Sequence, residues 1–145
     1  MLKSIMVNQP LANAELAVMD LLWQGDRMTA RQIREQLYPD ATKAQHGTVQ
    51  KLLGRLEDKG YVQRDRSLSV HFFAPALSRQ AYAGGQLELL ADKLTAGSLA
   101  PLITHLVEEK RISRTEIDRI RTILDEHEIN EGRQKRDGKR KGGNV

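Results

Sequence analysis

The chain has no cysteine, which removes a disulfide framework, a thiolate metal site and any thiol redox switch. Aromatic residues make up only 4 % of its 145 residues, so there is little from which to build a second large core. No apolar run approaches the roughly 18 residues that cross a bilayer. The start, Met1-Leu2-Lys3-Ser4-Ile5-Met6-Val7, lacks the apolar stretch of a secretory leader. We therefore expect a soluble, cytoplasmic protein with no membrane insertion. Catalytic constellations are missing as well. His46, His71, His105 and His127 form no i, i+4 pair and have no clustered carboxylates beside them, and there is no phosphate-binding glycine loop or nucleophile elbow. The expectation is a protein that is not an enzyme and holds no metal or cofactor.

Charge is present, and its placement is informative. The formal net charge is +4. Residues 131–145 hold six Lys or Arg against two acids and carry that whole excess, so the rest of the chain is neutral overall. Within that neutral body, residues 27–66 hold nine bases and five acids, whereas residues 86–130 hold six bases and nine acids. A basic first half and an acidic second half are expected if only the first half meets phosphate.

Hydrophobic periodicity orders the elements. Asn13 is a candidate N-cap for a helix with Leu16, Met19, Leu22 and Trp23 on one face, stopping at Gly25. Thr29-Ala30-Arg31-Gln32 has the form of a capping box and opens a short helix through Ile33 and Leu37. After a polar turn over 40–47, Val49, Leu52, Leu53 and Leu56 form an i, i+3, i+4, i+7 stripe that ends at Gly60. Two β-rich runs, 61–64 and 70–73, then read as a hairpin. Three helices followed by a hairpin is the order of a winged helix-turn-helix domain. The fold class is thus mainly α with a small β hairpin: a winged helix-turn-helix domain over 1–76 and a C-terminal helical dimerisation region over 77–128.

In that second region Leu87, Leu90 and Leu94 make one stripe. Leu99, Leu102, Ile103, Leu106 and Val107 make another, with Ser98 as cap. A third starts at the capping box Ser113-Arg114-Thr115-Glu116 and runs through Ile117, Ile120, Ile123 and Leu124. Short amphipathic helices in so small a subunit cannot bury all these faces, so a second copy is the expected cover. Residues 129–145 show no apolar periodicity and are expected to be a disordered basic tail that adds non-specific phosphate affinity.

With the Val49 stripe inward, a helix over 46–58 turns Gly47 and Lys51 away from the core, with Thr48 and Arg55 on one flank and His46 and Gln50 on the other. Gln50, Thr48 and Lys51 are side chains that read base edges, and Arg55 suits phosphate. The same residues are equally the solvated face of an ordinary helix. Arg64, Arg66 and His71 are either a wing on the DNA backbone or simply exposed strand residues.

Taken together, Glu15-Leu16-Ala17-Val18-Met19-Asp20-Leu21-Leu22-Trp23, Thr29-Ala30-Arg31-Gln32-Ile33, Thr48-Val49-Gln50-Lys51-Leu52-Leu53-Gly54-Arg55-Leu56-Glu57-Asp58-Lys59-Gly60 and the later Glu116-Ile117-Asp118-Arg119-Ile120-Arg121 resemble the penicillinase repressors of the BlaI/MecI type over about residues 10–126. The resemblance implies a homodimer on a palindromic double-stranded DNA operator, repressing genes of resistance or stress. Penicillinase repressors are released when a membrane sensor metalloprotease cuts an Asn-Phe bond in the dimerisation helices; the aligned pair here is His105-Leu106, a departure, so the same route calls for a protease of different preference. The cysteine cluster of copper-responsive relatives is absent. A winged-helix interaction module without a direct DNA role is the rival reading, and the basic first half speaks against it.

Overall fold

The computed structural model describes residues 9–40 and 43–141. Helix α1 (Asn13–Gly25) buries Val18, Met19 and Leu22. Its N-cap is Ala12, not Asn13, which is the first helical residue. Ala12 has no side-chain acceptor to offer. Only the reciprocal half of a capping box is therefore made: Glu15 Oε1 reaches back and accepts from the Ala12 N–H at 3.1 Å. Nor does Gly25 make the turn that ends α1. It stays helical, and Asp26 takes φ 66°, ψ −60° beneath a 2.8 Å bond from the Arg27 N–H to the Gly25 carbonyl, a γ-turn.

A two-residue strand that the sequence pattern did not reveal follows, β1 (Met28–Thr29). Helix α2 (Ala30–Leu37) starts on the expected capping box: Thr29 Oγ1 accepts from the Gln32 N–H at 3.1 Å, and Gln32 Oε1 accepts from the Thr29 N–H at 2.9 Å. Helix α3 (Lys43–Asp58) begins inside the stretch expected to be a turn. Lys43, Ala44 and Gln45 are good helix formers and extend the helix backwards; residues 41 and 42 of that expected turn lie outside the described residues. Val49, Leu52, Leu53 and Leu56 are all buried. Gly60 at φ 83° closes α3, with the Tyr61 N–H donating to the Leu56 carbonyl at 2.8 Å.

Strands β2 (Val62–Asp65) and β3 (Phe72–Pro75) lie one to two residues later than expected. The sheet is antiparallel with order β1-β3-β2, and Met28 pairs with Phe73 while Arg64 pairs with Phe73 on the other side. The order α1-β1-α2-α3-β2-β3, with the β2–β3 hairpin as the wing, is a winged helix-turn-helix.

Helix α4 (Arg79–Leu94) is capped by Ser78, whose Oγ accepts from the Ala81 N–H at 3.0 Å. It belongs to the first compact unit, which ends at Gly97, twenty-one residues beyond the expected boundary at 76. Polar aromatics explain the difference. Trp23 Nε1 donates to the Leu77 carbonyl at 2.9 Å, Tyr82 Oη accepts from the Leu11 N–H at 3.0 Å, and the Tyr82 ring meets Tyr61 edge-on at 5.8 Å. Tyr61 is itself fully buried; burial, with Tyr82 and Glu15 nearby, pushes its phenol up to about 12, and its hydroxyl donates to the Gln9 carbonyl.

Among the described residues, the core of this unit buries one carboxylate, that of Glu15. Lys59 Nζ lies 3.0 Å from both Oε1 and Oε2 of Glu15, joining the start of α1 to the end of α3.

The second unit starts at Ser98 and holds α5 (Ala100–Glu108) and α6 (Arg114–Lys141). Leu99, not Ser98, stands at the α5 N-cap, with Pro101 in the first turn. Ser113 Oγ accepts from the Glu116 N–H at 3.2 Å to open α6. That helix continues to Lys141 through residues expected to be a disordered tail; residues 142–145 lie outside the described residues. Elongating an existing helix needs no new nucleus, and Glu, Gln, Lys and Arg all favour the helical state.

Removing the cation from a buried pair leaves a carboxylate with no adequate partner. We expect Lys59→Met to destabilise the protein by about 3 kcal/mol in urea titration. Glu15→Leu combined with Lys59→Met should recover most of that loss, since the apolar pair no longer buries a charge. A Lys59→Met protein as stable as the parent would show that Glu15 is adequately solvated.

Candidate nucleic-acid interface

Helix α3 is held from one side only. Its buried stripe packs on α1 and α2, and Gly47, Thr48, Gln50, Lys51, Arg55 and Asp58 are all exposed on the other side. Lys51 and Arg55 enter no ion pair among the described residues. His46 is half-buried, with its Nε2 3.5 Å from the Gln50 amide nitrogen one turn on.

Gly47 and Gly54 carry an informative absence. A Cβ built at either one meets nothing within 4 Å, so packing within this chain does not require a glycine there, and neither residue has positive φ. Each costs the helix about 1 kcal/mol relative to alanine. Bare backbone on the outer face of a helix suits a partner that approaches closely.

Between α3 and the wing runs a cleft of about 290 Å³, lined by Thr29, Ala30, Arg31, His46, Gln50, Arg64, Ser69, Val70, His71 and Phe73. It brings together four of the residues singled out from sequence: His46, Gln50, Arg64 and His71. The arginines differ from the simplest expectation. Arg64 is only 20 % exposed, with its Nε 3.1 Å from Glu57 Oε2 and its guanidinium 4.7 Å above the Phe73 ring. Its commitments are thus internal. Arg66, 61 % exposed, keeps a looser 3.6 Å approach to the other Glu57 oxygen and can reach outward. The wing turn is fastened by Asp65, which accepts from the Ser67 N–H at 2.9 Å. Hydrogen bonds from Ser67, with Arg27 and His71 close by, hold its carboxyl below the usual range.

Several residues of this surface were not singled out by sequence reasoning. Arg31 projects from the first turn of α2, paired with Glu35 at 3.1 Å and largely exposed. Its position two residues after the Thr29 cap was the only signal. At the wing, Leu68 and Val70 are more than half exposed, an apolar tip on a loop of otherwise polar residues. Among the described residues no group of three or more His, Asp or Glu is placed to hold a metal ion.

The fold and this one-sided helix define the chain as a winged helix-turn-helix protein. It matches the penicillinase repressor family model over residues 11–126. The chain belongs to that family. It is 24 % identical over 117 residues to the penicillinase repressor of Bacillus licheniformis, covering 81 % of this chain and 91 % of that protein. It is 23 % identical over 114 residues to the methicillin resistance regulatory protein MecI of Mammaliicoccus sciuri, covering 79 % and 92 %. Among solved structures, the DNA binding domain of the repressor BlaI matches with TM-score 0.41 and 21 % identity over 50 % of this chain and 87 % of that one.

Gly47→Ala separates folding from recognition. We expect it to stabilise the free protein by about 0.5–1 kcal/mol, as alanine does in helix interiors, seen as a higher Tm. Duplex binding by the same protein should weaken if a partner approaches the bare backbone closely, because the new methyl would stand in its way. Unchanged binding by a more stable Gly47→Ala protein would remove the close-approach argument.

Proposed function

We propose that this chain is a homodimeric transcriptional repressor that sets α3 into the major groove of a palindromic operator. The observation that carries the reading is the outer face of α3, where Thr48, Gln50, Lys51 and Arg55 stand exposed around a bare Gly47. Gln50 and Thr48 are assigned to base edges, Lys51 to guanine or phosphate and Arg55 to phosphate. Arg66 and His71 on the wing, with Arg31 lining the same cleft as His71, are assigned to the DNA backbone. Arg64 supports the wing from behind through Glu57 and Phe73. Such a protein acts where DNA is, in the cytoplasm of a bacterium, and no described helix is long and apolar enough to cross a membrane.

The second copy is argued from apolar surface. Leu99, Ile103, Leu106, Val107 and Leu124 are exposed, and Leu102, Ile117 and Ile120 are only half-buried. A fully buried side chain of this kind contributes about 1.5–3 kcal/mol, so pairing about a twofold axis is strongly favoured, and it presents two reading helices to two half-sites. His105 and Leu106 both lie within α5. Cleavage there by a membrane sensor metalloprotease would require that helix to open locally.

Base-edge and phosphate contacts fail differently. Gln50→Ala and Thr48→Ala should each reduce preference for the operator by about 1–3 kcal/mol in competition against unrelated duplex. Arg55→Ala should weaken both duplexes alike and flatten the salt dependence by about one unit. If Gln50→Ala left operator preference intact, the helix would be wrongly oriented; salt-independent or absent DNA binding would favour an interaction module.

Leu106→Asp buries a charge in the proposed dimer interface. Sedimentation should show a monomer at concentrations where the parent is a dimer. A parent that sediments as a monomer while binding its operator tightly would exclude the homodimer.

A further inference from the structure

The cleft between α3 and the wing is lined by two arginines and two imidazoles, Arg31, Arg64, His46 and His71, and by no Asp or Glu among the described residues. They converge from three elements: Arg31 from the first turn of α2, His46 from α3, and Arg64 and His71 from the wing. Glu35 and Glu57, which pair with Arg31 and Arg64 at 3.1 Å, do not line the cleft. An anion entering it therefore meets two permanent charges and two rings that can each take a proton.

The two rings are placed differently. His46 is half-buried, and the amide nitrogen of Gln50 lies 3.5 Å from its Nε2. With two nitrogens facing each other, Gln50 donates and the ring accepts, which leaves Nε2 of His46 without a proton until a ligand arrives. His71 is exposed, and the carboxylate near it, Asp65, is already engaged by Ser67 and Arg27. A negative charge within about 4–6 Å of an imidazole favours its protonated form.

We propose that this cleft is the seat of one backbone phosphate of the operator, and that His46 and His71 take up protons as the phosphate enters, so that operator affinity rises as the pH falls. The cleft adjoins the exposed face of α3, since Gln50 belongs to both. A duplex holding α3 in its major groove runs one backbone strand along the flank of that helix toward the wing. A phosphodiester brings one permanent negative charge and has no proton of its own to exchange near neutral pH. Proton uptake then falls to the rings, and the proton that reaches His46 also frees the Gln50 amide to turn outward to a base edge. This inference rests on the DNA-binding reading above and deepens it.

The chain has four histidines, which supplies the control: His105 and His127 lie in the second unit. The probe is a duplex selected by the full-length protein from a randomised pool. Proton NMR titration follows each ring, assigned by its own His→Gln variant, at an ionic strength where the Debye length is about 8 Å. On adding the duplex, the midpoints of His46 and His71 should rise by about one pH unit, and those of His105 and His127 should stay in place. A ring whose midpoint is raised in the complex contributes affinity that is complete below its free midpoint and lost as the pH rises through its bound one. Duplex affinity should thus gain about tenfold for each such ring between about pH 8 and about pH 5.5. The combined His46→Gln and His71→Gln protein should lose that pH dependence.

If no duplex is selected at any pH, the repressor reading falls and this inference with it. A duplex bound equally well across that range, or bound without movement of the His46 and His71 midpoints, overturns the phosphate seat alone. So do midpoints that rise alike at all four histidines, which would reflect the general field of the duplex. Midpoints moved by inorganic phosphate but not by the duplex would make the cleft a site for a free anion, and would equally overturn the seat on DNA.

Discussion

The pair between Glu15 and Lys59 sets the geometry on which the rest of the first unit depends. A carboxylate 4 % exposed is tolerable only with a cation and donors placed on it. Lys59 meets both its oxygens, and the Ala12 N–H meets one of them. Two segments 44 residues apart are thereby fixed to one another. The end of α3 cannot shift along α1 without uncovering the charge. Immediately after Lys59, Gly60 turns the chain at φ 83° and Tyr61 enters the core. The same few residues thus place α3, the root of the wing and the docking of α4 through the Tyr61–Tyr82 contact.

That arrangement also separates the charges of the basic half into two groups. Lys59, Arg64 and Arg27 are held by Glu15, Glu57 and Asp65 respectively, with Arg64 and Arg27 also lying over Phe73 and Phe72. Lys51 and Arg55 are not so held among the described residues. The basic excess counted from sequence therefore overstates what the wing offers to a polyanion and understates how much of it rests on α3.

Much of this was legible in the sequence because it depends on periodicity and local chemistry. The Val49 stripe, the Thr29–Gln32 and Ser113 caps, and the hairpin all follow from residues within one or two turns of each other. What escaped depends on distant partners or on continuation. Strand β1 is two residues long and exists because β3 presents an edge to it. Ala12 serves as a cap because Glu15 is already oriented by Lys59. Asp26 takes a positive φ that residue type alone would assign to the neighbouring glycine. The helix over 129–141 was obscured because a basic composition reads as a solvated tail, although each of its long polar residues is compatible with helix. For the candidate site, the exposed face of α3 was legible, but the withdrawal of Arg64 was not. An arginine on a strand has the same letter whether it faces phosphate or a carboxylate behind it.

The two units differ in what they need from outside. The first closes a core of its own, with its largest buried side chains completely covered, and presents α3 already formed. The second has no fully buried side chain in α5, and its apolar residues are at best half-covered. On the dimer reading, operator affinity is the product of a preformed reading surface and an association that joins two of them, so that the second half-site is met at a high effective concentration. Weakening that association lowers operator affinity without altering any residue of α3. On that reading, control of operator affinity falls on α5 and α6, whose apolar surfaces one subunit alone does not bury.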